Sequence, residues 1–104
     1  MTVRVFDILS PGEDNALTSR ELETLTGWTE RLIRKRIRHE RLAGLPILSS
    51  GKGFFLPASG AELRRYARSI AHRAAAVAEI ARAAERAVAE ADGQAALEGW
   101  WRDG

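Results

Sequence analysis

The sequence predicts a mainly α-helical chain with one small β-hairpin, followed by one long C-terminal helix. Three observations predict it. Capping residues stand at helix-start spacing at Thr18 and Thr29, each before a short amphipathic run. A Gly-Lys-Gly tip at 51–53 separates two short apolar runs. Residues 61–92 contain no Gly or Pro and much Ala, the composition of an uninterrupted helix. The 104 residues therefore divide into a compact domain over 1–60, a long helix over 61–92 and a flexible tail over 93–104.

In chain order, Val3, Val5, Phe6 and Leu9 predict a short first helix or turn, closed by Ser10-Pro11-Gly12. Thr18 precedes Glu21 by three residues, the capping-box spacing, with Leu17 and Leu22 at the positions of a hydrophobic staple. A second helix is thus expected from Thr18, burying Leu22 and Leu25 and stopping at Gly27. Thr29 caps a third helix after a turn of only Thr26-Gly27-Trp28. Two short helices joined so tightly form a helix-turn-helix.

The third helix is the most unusual part of the chain. Thr29 to Gly44 holds six of the sixteen Lys and Arg residues against two acids, net +4 in a protein of net +2. At about 100° per residue, Ile33, Ile37 and Gly44 fall on one side, and Arg31, Arg34, Lys35, Arg38 and Arg41 on the other. The apolar side must bury and the basic side must face outward. A solvated face is the alternative, but solvated faces mix signs and this one hardly does. Such a face on the second helix of a helix-turn-helix is suited to a DNA major groove. Glu40 falls among the apolar positions and needs a partner there. Arg36, one turn earlier, is the expected one, which removes Arg36 from the DNA contacts.

After Gly44, Leu45 to Leu48 and Phe54 to Leu56 predict two strands around a turn in which glycines let the tip bend and present Lys52. Following a helix-turn-helix, this hairpin is a wing. Gly51-Lys52-Gly53 lacks the spacing of a nucleotide-binding phosphate loop, and no strand-to-helix passage follows the Lys. The run from Thr29 through GLPILSSGKGFFLP resembles the N-terminal DNA-binding domain of biotin-ligase repressors. The segment ERLAGLPILSS with GFFLP resembles more closely small winged-helix proteins of phages and prophages, in which a helical extension likewise follows. The resemblance covers a little over half the chain. It implies a winged helix-turn-helix and DNA binding, and none of the repressors' enzymology, because their catalytic part has no counterpart here.

In the long helix, Leu63, Ile70, Val77, Ala84 and Ala91 recur every seven residues, interleaved with Ala67, Ala74, Ala81 and Val88. This heptad seam predicts a homodimer through residues 61–92. The alternative is a helix folded back over its own domain. Ser59 and Glu62 mark its start with a second capping-box spacing, and Gly93 is expected to end it. Arg64, Arg65, Arg68, His72 and Arg73 crowd its first half, and Glu79, Glu85, Glu90 and Asp92 its second. The basic half can extend a DNA footprint or pair with the acidic half of an antiparallel partner.

No Cys is present, and His39 and His72 lack neighbours at metal spacing, so neither a cofactor nor a metal is expected. No nucleophile or paired-carboxylate arrangement points to an enzyme. Met1–Ser10 carries Asp7 and no apolar core, and no run reaches the roughly 20 residues of a membrane span. A cytoplasmic, nucleoid-associated bacterial protein is expected.

The function expected is sequence-specific binding of double-stranded DNA by a homodimeric phage or prophage transcriptional regulator. Thr29, Glu30, Arg31, Arg34, Lys35 and Arg38 are expected at the major groove, with Arg41 on the same basic face and Lys52 at a neighbouring groove or phosphate. The competing expectation is a non-enzymatic interaction module in a phage replication or packaging complex. Trp100 and Trp101 would then be the candidate protein-binding hook.

Overall fold

The computed structural model describes residues 3–97. Trp100, Trp101 and the rest of residues 98–104 of the expected flexible tail lie outside the described residues, while residues 93–97 of it are helical. The elements are α1 (Val5–Ile8), a 3-10 turn (Glu13–Asn15), α2 (Ser19–Thr26), α3 (Glu30–Leu42), β1 (Leu48–Ser50), β2 (Gly53–Phe55) and α4 (Gly60–Leu97). The chain divides into two compact units, 1–67 and 68–104.

In the first unit α2 starts at the Thr18 capping box. The Thr18 hydroxyl accepts from the Glu21 N–H (3.1 Å), and the Glu21 carboxylate accepts from the Thr18 N–H (3.1 Å). The helix buries Leu22 but not Leu25, which is 62% exposed. Its partly covered stripe is Ser19, Leu22, Glu23 and Thr26, and Leu25 falls about 110° from the centre of that stripe. Spacing alone does not distinguish the two leucines.

Val5, Leu9, Leu22, Ile33, Ile37 and Ile47 form the core, with Leu17, Trp28 and Phe54 packed at its edge. Each fully buried aliphatic contributes roughly 1.5–3 kcal/mol. Glu40, only 7% exposed, lies beside this core, and its partner is not Arg36. Its two carboxylate oxygens accept from the N–H groups of Val5 (2.9 Å) and Phe6 (2.8 Å), the first turn of α1. Helix N-termini leave such donors unpaired and favour negative charge, so the buried carboxylate and the short helix satisfy one another. Arg36 instead lies over the Trp28 ring, 4.2 Å from its centroid, and donates to the Val3 carbonyl (3.4 Å).

The end of α3 is a Schellman turn. Leu45 N–H donates to the Glu40 carbonyl and Gly44 N–H to the Arg41 carbonyl, both at 3.0 Å. Gly44 has φ +97°, in the region that glycine tolerates without strain. β1 lies later than its apolar run implies, because Pro46 has no N–H to give a ladder, and β2 begins one residue earlier than its run. β1 and β2 pair antiparallel with Leu48 opposite Phe55 and Ser50 opposite Gly53. The other edge of β2 is also used. Leu17 and Phe54 exchange backbone hydrogen bonds of 2.9 and 2.8 Å, and Gly12 N–H donates to Leu56 (2.8 Å). Three helices followed by this two-stranded antiparallel hairpin are compatible with a winged helix.

Ser59 begins α4 as expected. Its hydroxyl accepts from Glu62 N–H (3.1 Å), while the Glu62 carboxylate reaches one residue further back, to Ala58 N–H (3.0 Å). Gly93 does not end the helix, which continues to Leu97. Gly93 is not among the glycines of positive φ, so it makes no left-handed cap. A glycine inside a helix costs about 1 kcal/mol relative to alanine, which a long helix absorbs. The described part of the second unit is α4 alone.

Candidate nucleic-acid interface

The position of α3 is fixed at its N-terminus by side chains from α2 and the turn. The Glu23 carboxylate accepts from Glu30 N–H (2.8 Å), and the Thr29 hydroxyl accepts from Leu32 N–H (3.2 Å). Within the turn, the Thr26 hydroxyl donates to the Leu22 carbonyl (2.7 Å) and accepts from Trp28 N–H (3.0 Å). Two otherwise unpaired α3 donors are thereby satisfied, and the α2–α3 geometry is tied by hydrogen bonds as well as by the core. Thr29 therefore serves as cap as well as lying at the head of the exposed face.

Ile33 and Ile37 face the core, and the other side of α3 is open to solvent. There Arg31, Lys35 and Arg38 are exposed, with no ion pair among the described residues. Arg34 is also exposed, but its guanidinium holds Glu30 (3.0 Å), one helical turn earlier. Lys52 at the hairpin tip sits 3.4 Å from Asp14, whose side chain is 96% exposed. Exposed pairs of this kind are worth about 0–1 kcal/mol, so both cations exchange readily to a stronger anion. A phosphate is such an anion.

Arg41 departs from its expected outward position. Its Nε donates to the Ile47 carbonyl (2.7 Å) and Nη2 to the Ser49 hydroxyl (3.2 Å). Its guanidinium also lies 6.0 Å from the Phe54 ring centroid and 5.8 Å from that of Tyr66. It fastens the end of α3 to the hairpin. At about 100° per residue Arg41 falls only about 40° from Ile37, on the flank of the buried side, and the chain after Gly44 folds back alongside and gives the guanidinium acceptors.

Leu42 was overlooked in the sequence. It is 74% exposed, and its angle puts it opposite Ile33, among Arg31, Lys35 and Arg38. The signal was the same wheel that sorted the arginines. On the flank of α3 nearer α1, Leu32, Lys35, Arg36, His39 and Ala43 line an open groove of about 620 Å³, with Arg4 across it. The Arg4 guanidinium holds the Asp7 carboxyl below the usual carboxylate range through a hydrogen bond of 2.8 Å.

The surface presents cations, hydrogen-bond donors and one apolar side chain from a rigidly placed helix, with a further cation at the hairpin tip. Among the described residues no cluster of three metal-ligating side chains occurs, and no helix is long and apolar enough to cross a membrane. Comparison with protein-family models, with curated proteins and with solved structures finds no match to this chain.

Proposed function

We propose that the protein binds double-stranded DNA by laying α3 in the major groove, with the β1–β2 hairpin as a wing, and that it acts as a homodimeric transcriptional regulator. The observation that carries this reading is the one-sided face of Arg31, Arg34, Lys35 and Arg38 on a helix whose start is locked by Glu23 and Thr29. Arg is the usual reader of guanine in the major groove, and Leu42 supplies an apolar contact suited to a thymine methyl. Lys52 reaches a flanking phosphate. Arg41 holds the wing against α3 and contributes no groove contact. The phage or prophage setting rests on the sequence resemblance alone.

The test is affinity for duplexes recovered by selection from random DNA. Arg38→Ala and Lys35→Ala each weaken binding to the selected duplex by about 1–3 kcal/mol if they contact bases. Five exposed cations give a log–log salt dependence of slope about −4. Undiminished binding by both variants, with no response to salt, removes the recognition-helix reading. An interaction module is the second reading. The groove beside α3 and the exposure of Leu42 favour it, and it is the outcome if the selection yields no motif.

A further inference from the structure

Among the described residues, the seam of α4 from residue 68 onward has nothing to pack on in its own unit. Val77 is 64% exposed and Val88 59%, and Ile70 and Val77 line a shallow apolar depression with Ala74 and Ala81. One row of the seam is Ala67, Ala74, Ala81 and Val88, and the other runs from Leu63 through Ile70 and Val77 to Ala91. That assignment fixes the residues beside the seam. Arg64, Ala71, Ala78, Glu85 and Asp92 flank it on one side, and Tyr66, Arg73, Ile80 and Ala87 on the other. Ile80 belongs to neither row, yet it is 70% exposed.

Flanking charges set the direction in which two helices pair. In a parallel in-register pair the two flanks face each other. Arg73 then meets Ala78, Ile80 meets Glu85 and Ala87 meets Asp92. No opposite charges meet, and an apolar side chain faces a carboxylate. In an antiparallel pair each flank faces its own copy. The register that sets Ala74 against Ala84 places Arg64 against Asp92 of the second copy, twice by symmetry. It also sets Ile80 against Ile80 at the two-fold axis, and Ile70 against Val88 in the seam.

Resting on the reading of α4 as the pairing helix, we propose that two copies of the chain associate through an antiparallel α4–α4 contact centred on Ile80. The partner is identified by charge and apolar complementarity together. The basic first half meets the acidic second half of the other copy, and Ile80, exposed beside the seam, meets its own copy.

The absence of cysteine allows a direct test by disulfide formation in the full chain. In the proposed pair the two copies of residue 74 lie ten residues apart along the axis, about 15 Å. A disulfide spans Cα atoms only about 4.4–6.8 Å apart. Ala74→Cys alone and Ala84→Cys alone therefore stay uncrosslinked on mild oxidation, while their equimolar mixture forms the mixed dimer. Crosslinking of each variant to itself overturns the antiparallel arrangement and leaves a parallel dimer. Sedimentation of unmodified protein as a monomer at high micromolar concentration overturns the pairing altogether. Ile80→Glu weakens dimerisation at least about tenfold by losing the apolar contact and opposing two carboxylates. An unchanged dimer in Ile80→Glu also overturns the proposal. DNA affinity of the Arg38→Ala variant is read on the same preparations, so failure of the dimer and failure of DNA binding are separate results.

Discussion

Glu40 joins two segments that the sequence keeps 35 residues apart. Its carboxylate sits among Val5, Ile33 and Ile37 because the N–H groups of Val5 and Phe6 replace the water it loses. Charge-assisted hydrogen bonds of this kind contribute about 1.5–3 kcal/mol each. Glu40→Ala is expected to lower stability by about 3 kcal/mol, and Glu40→Gln by about half as much, since the amide keeps one acceptor oxygen. Urea unfolding with an unchanged m-value measures both, and a loss of under about 0.5 kcal/mol for Glu40→Ala would remove the role assigned to the pair. The sequence announces that Glu40 needs a partner and points to the wrong one. Arg36 is four residues away and therefore visible. The start of α1 becomes a candidate only after the chain has folded.

At the scale of elements, legibility tracks locality. The Thr18 and Thr29 caps, the Gly27 stop and the Ser59 start are readable because each is completed within a few residues. Arg41 is not, because its acceptors, Ile47 and Ser49, come from a hairpin whose return path no helical wheel contains. Gly93 misleads because a glycine signals a helix end only when its backbone turns left-handed, and here the helical backbone runs on through it. The hairpin tip makes a similar contrast between two glycines. Gly53 at φ +124° is fixed by a close approach, since a Cβ there would fall 2.6 Å from the Leu17 carbonyl carbon. Gly51 has open space around it. Gly53→Ala should therefore cost at least about 2 kcal/mol, whereas Gly51→Ala should cost little. Equal stability of the two variants in thermal unfolding would contradict the packing of β2 on Leu17.

Across the whole chain, positive charge is unevenly shared. Residues 1–67 carry eleven Lys and Arg against eight acids, while 68–104 carry five against six. Any attraction to a polyanion thus belongs to the unit that holds α3, and α4 from residue 68 onward adds none of the net charge. The one-sidedness of α3 and the seam of α4 are both legible in the sequence. Which arginines are free to act is not, because it depends on the acceptors that tertiary structure supplies.

The ties on the N-terminal segment also bear on the order in which the chain acquires structure. Residues 5 and 6 are held by Glu40, residue 12 by Leu56 and residue 17 by Phe54. A four-residue helix is far too short to persist unaided. Within this domain, the segment over residues 5–17 must therefore wait for chain that follows it. In pulsed amide exchange during refolding, the N–H groups of Val5, Phe6 and Leu17 should gain protection no sooner than those in the middle of α3. Earlier protection at Val5 and Phe6 would mean that α1 forms without its distant carboxylate. On this account residues 5–17 close a domain that α3 and the hairpin have already shaped.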